Sequence, residues 1–374
     1  MSDWKPNQPG NDPVCLIGAG FSRAVLDPQL PSTTDIIDQT VKEHAAKFPI
    51  LKCLVQNCRV QTKDSGLSVD MSLNSVWRRV GELALLLTPH FREIVNRYAQ
   101  EPKESRIRNV VRRLLLAFGP TRFIGIMLGI ELKRMVALQY EELKLHAKRL
   151  EDLPGLKAII EDGSASMTTW VSLNYDTALE VLLQGPTGTR NWQYSFEGSF
   201  TGNAGAPRAR HVLAKPHGSL NVWFDSVWRS PPWHRVYFAD ANNYLATCAE
   251  GQVGCDYFRK GEAPREYRPW LIGYLPDEMK EEINSPGYYA DAAHDLCKAN
   301  VAFAALSLQK ASSLYVLGYS MPPEDTWVWS RVVGVCDKSL PVYVASASNT
   351  ESIANRFREH GFTVVEKLTE SGNL

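Results

Sequence analysis

The chain has 374 residues, which at about 150 residues per domain allows one elaborated domain or two ordinary ones, either able to bury a core. Hydrophobic residues make up 44%, charged residues 22%, and the mean hydropathy is -0.24, which excludes disordered, collagen-like and coiled-coil chains. Forty-one Lys and Arg balance 41 Asp and Glu, so no overall basic field draws the protein to nucleic acid or to a membrane surface, and only a local basic patch stays open. The N-terminal MSDWKPNQPGNDP is polar and Pro-rich with no basic segment leading into an apolar run, so no secretory signal is expected and the expected compartment is the cytoplasm.

Val14-Cys15-Leu16-Ile17 reads as a buried parallel strand entering the Gly18-Ala19-Gly20 turn. Over residues 73–165 the pattern is helical, with Val76, Val80, Leu83 and Leu87 at three- or four-residue steps and Val110, Val111, Leu114 and Leu115 behaving alike. Pro and Gly at 102, 119–120 and 154–155 divide this region into about four helices. The longest apolar-plus-glycine run there, Phe123 to Ile130, falls far short of the roughly 20 residues of a membrane helix and reads as a buried helix segment. Strand character returns at 168–173, 211–214, 313–317, 341–344 and 362–365, with helical patterns at 290–311 and 352–360. Residues 220–290, rich in Pro, Gly and aromatics, read as a long irregular connection. The expectation is an α/β chain: a single Rossmann-like domain over 1–374 built on a parallel sheet, with a helical subdomain inserted at 73–165.

Ligands of such sheets bind beyond the carboxyl ends of the strands, which directs attention to the turns there. Gly18-Ala19-Gly20-Phe21-Ser22 is small enough for backbone N–H groups to approach a phosphate, but Arg23 stands where the dinucleotide fingerprint has its third glycine. A diphosphate cradle and a simple tight turn both fit. In Leu173-Asn174-Tyr175-Asp176 the amide and carboxylate suit the orientation of a polar ligand or water, and equally suit the cap of a helix starting at Thr177-Ala178. Lys215-Pro216-His217-Gly218-Ser219 carries a histidine suited to proton transfer near neutrality, or a structural one. Gly318-Tyr319-Ser320-Met321 precedes Pro322-Pro323 and is either a ligand-approach loop or a proline-terminated turn.

In this order, the Gly-Ala-Gly-x-Ser loop, the Asn-Tyr-Asp strand end, Lys-Pro-His-Gly-Ser and Leu-Gly-Tyr-Ser resemble the sirtuin-like NAD hydrolases of bacterial antiphage defence. The resemblance spans scattered stretches from Val14 to Asn349. It implies a sirtuin-like fold that cleaves the nicotinamide N-glycosidic bond of NAD, releasing nicotinamide and ADP-ribose or a cyclic product, and so depletes NAD on infection. It implies that Gly18, Ala19, Gly20 and Ser22 hold the pyrophosphate and adjoining ribose, with Gly318 and Ser320 on the adenosine side and Asn349 near the adenine ribose. It implies that Asn174 orients the nicotinamide ribose and the attacking water, that Asp176 meets the carboxamide, and that His217 is the general base.

Two departures separate the chain from deacylating sirtuins. No pair of Cys-x-x-Cys motifs is present among Cys15, Cys53, Cys58, Cys248, Cys255, Cys297 and Cys336, so no zinc ribbon and no other metal is expected. The cysteines read as reduced thiols. The Pro-Asp-Phe-Arg segment is replaced by Leu30-Pro31-Ser32-Thr33-Thr34-Asp35. An NAD-dependent protein deacylase and a non-catalytic NAD or ADP-ribose sensor remain the alternatives. Since the resemblance takes up nearly the whole chain, restraint is expected from self-association into a homo-oligomer or from another protein such as a HerA-type ATPase. No membrane partner is expected, and nucleic acid only indirectly. Trp223, Trp228 and Trp233 around Pro231-Pro232 suggest core packing or an aromatic cover, and Arg106, Arg108, Arg112 and Arg113 a solvated basic face.

Overall fold

Apolar runs of four to seven residues separated by helices cannot bury both of their faces except in a parallel sheet covered on both sides, and such a sheet organises the protein. A computed structural model describes residues 12–27, 36–65, 75–76, 79–100, 106–142, 146–147, 150–161, 167–183, 191–195, 209–224, 236–238, 268–271, 300–321, 328–346 and 349–368. The strands are β1 (Asp12–Ile17), β2 (Leu26–Asp27), β3 (His146–Ala147), β4 (Thr168–Ser172), β5 (Trp192–Tyr194), β6 (His211–Ala214), β7 (Gly218–Phe224), β8 (Val236–Phe238), β9 (Arg268–Leu271), β10 (Ala311–Leu317), β11 (Val342–Ala345) and β12 (Val365–Lys367).

Seven of them form the central sheet in the order β12-β11-β10-β1-β4-β6-β5, and every pairing is parallel. The fold is Rossmann-like α/β. From β1 the chain proceeds to β4 on one side, whereas β10, on the other flank of β1, leads outward to β11 and β12. The connections therefore diverge between β1 and β10, the switch point at which such sheets open a crevice beyond their carboxyl ends. Val14, Leu16, Val171, Leu314, Val316, Val342 and Val344 are buried with Leu308, Ile353 and Phe357 of the covering helices in one apolar cluster. Burial at about 25 cal/mol per Å² of apolar surface makes this cluster the main source of sheet stability.

The chain divides into two compact units, one comprising Met1–Leu30, Lys144–Ile272 and Ala292–Leu374, the other including Pro31–Leu143. In the first unit β2 and β3 pair antiparallel, Leu26 with Ala147 and Asp27 with His146, so the chain leaves for the helical unit and returns from it at adjacent points. The described helical residues begin at Ile36, upstream of the expected residue 73, with helices Ile36–His44 and Pro49–Ser65 preceding Val80–Leu87, Phe91–Ala99, Arg106–Ala117 and Pro120–Glu142. The helix Pro154–Glu161 belongs to the first unit.

Helix Pro120–Glu142 buries Phe123, Ile124, Met127, Leu128, Leu132, Met135 and Val136, the paired three- and four-residue spacing of an inward stripe. Within that stripe sits one charge, Glu131, fully buried. Its carboxylate accepts from the Ile50 N–H at 3.0 Å and the Leu51 N–H at 2.8 Å, and from the Tyr98 hydroxyl. It thereby caps the first turn of Pro49–Ser65 from a neighbouring helix. Among the described residues no helix is long and apolar enough to cross a membrane.

Where the sequence suggested an irregular connection over 220–290, β8 and β9 flank β7 in a three-stranded antiparallel sheet. Strands of three and four residues are shorter than the window over which alternation can be counted. The last strand is Val365–Lys367 rather than 362–365, because Phe362 turns inward to stack edge-on against Phe357 at 5.2 Å. Cys15, Cys53 and Cys336 are buried and stand outside any disulfide. Trp228, Trp233, Cys248, Cys255 and Cys297 lie outside the described residues, as do the side chains of Cys58, Trp223 and Arg106. Arg112 and Arg113 are exposed and Arg108 half-buried.

Candidate functional site

The carboxyl edge of the sheet gathers the turns that follow β1, β4, β6, β10 and β11, and with them the residues to which the resemblance gives a role. At its centre the β1 and β10 turns are packed backbone to backbone. The Gly18 N–H donates to the Leu317 carbonyl at 3.2 Å and the Gly20 N–H to the Gly318 carbonyl at 2.9 Å. A Cβ on Gly20 would lie 2.8 Å from the Gly318 oxygen, and one on Gly318, whose φ is +60°, would lie 2.0 Å from the Phe21 nitrogen. These glycines are needed for contact between the two turns. Ala19 and Gly20 are exposed at the start of helix Ala19–Val25, while Ser22 is buried.

The turn after β4 braces this pair of loops. Asn174, buried, donates through Nδ2 to the Gly18 carbonyl at 2.7 Å and to Ser22 Oγ at 2.8 Å. Both amide hydrogens are thus spent inside the fold. The Ser22 hydroxyl in turn hydrogen-bonds the Asp176 carboxyl, so its oxygen faces inward rather than toward a phosphate. Asp176 Oδ1 accepts from the Ala178 N–H at 3.0 Å, which makes Asp176, and not Asn174, the cap of helix Ala178–Leu183. Burial raises the Asp176 carboxyl above the usual carboxylate range; the Lys215 ammonium, the Ser22 hydroxyl and the Ala178 amide oppose that rise and Glu180 adds to it.

His217 follows β6 and is partly exposed. Its Nδ1 lies 3.0 Å from the Leu173 carbonyl, and since a carbonyl only accepts, Nδ1 carries a proton in this contact. The ring lies 6.1 Å from that of Tyr175, tilted by 32°. The same backbone that leads into Asn174 therefore orients the histidine, an arrangement suited to a general base.

Ser320 is exposed in the β10 turn, and Asn349 is exposed at the start of helix Thr350–Glu359 without a side-chain capping bond. Both lie on the same sheet edge and outside the hydrogen-bonded centre. Met321, next to Ser320, is buried with φ at +55°, and its carbonyl accepts from Arg356 of that helix. The left-handed conformation at a non-glycine residue is held by this clamp.

Beneath the loops lies a polar cluster that motif reading did not assign. Lys215, with no exposed surface, donates through Nζ to Glu180 Oε1 at 2.9 Å and to the Asp176 carbonyl. Tyr194 of β5 donates to the same Glu180 oxygen at 2.8 Å, and Asn300 Oδ1 accepts from the Lys215 N–H at 2.7 Å. The signal was a glutamate inside the otherwise apolar Ala178-Leu179-Glu180-Val181-Leu182-Leu183 and a lysine directly after an apolar strand, both uncommon in a core unless paired. Among the described residues no group of three or more His, Cys, Asp or Glu side chains is placed to hold a metal ion. Comparison of the chain with known protein families and with curated proteins finds no match.

Proposed function

We propose that this protein is an NAD glycohydrolase of the sirtuin-like kind and serves as an NAD-depleting effector in bacterial antiphage defence. The observation that carries the reading is the convergence, at the switch point of a parallel sheet, of Asn174, Asp176 and His217 with the Gly18–Ser22 and Gly318–Ser320 turns. In the reaction, the bond from the ribose C1′ to the nicotinamide nitrogen breaks and its electron pair leaves on nicotinamide. Water adds to C1′ and loses a proton, giving ADP-ribose; attack by a group of the same molecule would give the cyclic product. His217 Nε2 takes that proton, and the oxocarbenium-like transition state needs positioned polar groups. Asn174 keeps the loops that frame the substrate together and offers its amide oxygen to the ribose and the water. The proposed roles of Gly18, Ala19, Gly20, Ser22, Gly318, Ser320 and Asn349 are to form the dinucleotide side, Ser22 acting from below through Asn174 and Asp176.

NAD is a substrate here and no zinc is required by the scheme. Restraint in the resting cell falls to a homo-oligomer or to a HerA-type ATPase, in the cytoplasm. The commitment of both Asn174 donors to the fold favours one second reading, a module that binds NAD or ADP-ribose without turnover. The test is incubation of purified protein with NAD and no acylated peptide, with nicotinamide and ADP-ribose quantified beside Asn174→Ala and His217→Ala, alone and with a candidate ATPase. Release by wild type only is expected. Bound but intact NAD under every condition would replace the enzyme by the binding module, and release only with an acylated peptide would make it a deacylase.

A further inference from the structure

Lys215 and Glu180 form a buried ion pair that the reaction scheme does not use. A buried pair is a poor source of stability, since removing two charges from water costs much of what their attraction returns, and an apolar pair of similar volume often serves the fold as well. Its position here is informative. Lys215 directly follows β6, two residues before His217, and its ammonium crosses to the carbonyl of Asp176, two residues after Asn174. Glu180 holds the ammonium from helix Ala178–Leu183, the helix that Asp176 caps. Tyr194 fixes the glutamate oxygen from the neighbouring strand β5, and Asn300 fixes the Lys215 backbone and also accepts from Ser195 at 3.0 Å. Glu180 Oε2 has no hydrogen-bond partner among the described residues, so the pair is arranged around a single oxygen to which both donors converge.

The geometry points to Lys215 as a positioning residue: its ammonium, anchored by Glu180, ties the turn carrying Asn174 and Asp176 to the turn carrying His217 and sets the spacing of the catalytic groups. This rests on the proposed NAD glycohydrolase reading. The two turns also meet through the contact of His217 Nδ1 with Leu173, the 6.1 Å ring contact of His217 with Tyr175 and a long 3.5 Å bond from Ser219 Oγ to the Tyr175 carbonyl. Lys215 touches no reacting atom. Its loss changes how well the groups are held, and a misplacement of about 1 Å costs about 10²-fold in rate.

The test uses Lys215→Met/Glu180→Gln in the full chain, which removes both charges, keeps an acceptor for Tyr194 and leaves no lone buried carboxylate. Three readouts are taken: thermal midpoint, amide hydrogen exchange, and the split of kcat from KM for nicotinamide release from NAD. The expected result is a folded protein whose exchange accelerates only over 173–178 and 215–219, with kcat about 10²-fold lower and KM within about threefold of wild type. Unchanged exchange and kcat would overturn the inference, as would accelerated exchange with normal kcat. Global unfolding would overturn it too, because the pair would then be holding the fold. Should wild type release no nicotinamide, the glycohydrolase reading fails by itself and exchange decides this one: acceleration confined to the two turns supports the tie, and none refutes it.

Discussion

Substituting Gly318 by alanine adds one methyl group and should disrupt the junction on which the site is built. The residue sits at φ +60°, where an L side chain costs roughly 1–2 kcal/mol. The new Cβ would stand 2.0 Å from the Phe21 nitrogen and 2.5 Å from the Gly20 carbonyl carbon. Both are backbone atoms, so no rotamer change relieves the overlap and the β1 and β10 turns must separate. That separation breaks the 2.9 Å bond from the Gly20 N–H to the Gly318 carbonyl, worth roughly 0.5–1.5 kcal/mol. The sum is about 1.5–3.5 kcal/mol, and at roughly 2–4 °C per kcal/mol the melting midpoint falls by about 3–14 °C. The assay is thermal unfolding by circular dichroism with Gly129→Ala as the matched control. Gly129 lies in helix Pro120–Glu142 with nothing within 4 Å of its would-be Cβ, so the same methyl there stabilises by roughly 0.5–1 kcal/mol. Equal midpoints for Gly318→Ala and wild type would refute the packing argument.

Other consequences follow from particular side chains. Glu131→Ala leaves two helix N–H groups and the Tyr98 hydroxyl without their buried acceptor and is expected to cost about 3–5 kcal/mol in urea unfolding, with Glu131→Gln costing less; equal losses would show that the acceptors do not matter. Burial, helped by the Arg210 charge, lowers His211 from 6.5 to about 4. The folded state then resists the proton that the unfolded chain accepts, so this contribution is present above pH 6.5 and is lost as pH falls from 6.5 toward 4. Wild type should lose about 3 kcal/mol more than His211→Gln between pH 7.5 and pH 4, and parallel losses would contradict the assignment. His217→Ala should lower nicotinamide release by about 10²–10⁴-fold while NAD binding persists; loss of binding instead would give His217 a role in affinity.

The sheet was legible because its strands are short, apolar and β-branched: β1, β4, β6, β10 and β11 fall within one or two residues of where the runs Val14–Ile17, 168–173, 211–214, 313–317 and 341–344 place them. Helices Ile36–His44 and Pro49–Ser65 escaped notice because polar residues such as Asp38, Gln39, Lys42 and Lys52 dilute their apolar stripe, and because Glu131, 80 residues away, supplies the cap that a local Ser or Asp would have announced. At the sheet edge, the motifs were legible but not the contacts that each residue makes. Asn174 and Asp176 were equal candidates for the cap, and only their distances to Gly18, Ser22 and Ala178 distinguish brace from cap. The Lys215–Glu180–Tyr194–Asn300 cluster draws on four separate segments, a combination that no local spacing encodes.

The central claim is that the turns at this sheet edge form a dinucleotide site. Hydrogen exchange of His217→Ala with and without saturating NAD tests it most directly, since that variant is expected to bind without consuming the ligand. The account predicts NAD-dependent protection over 18–22, 173–177, 215–219 and 318–321 together. Protection confined to other segments, or none at saturating NAD, would contradict it.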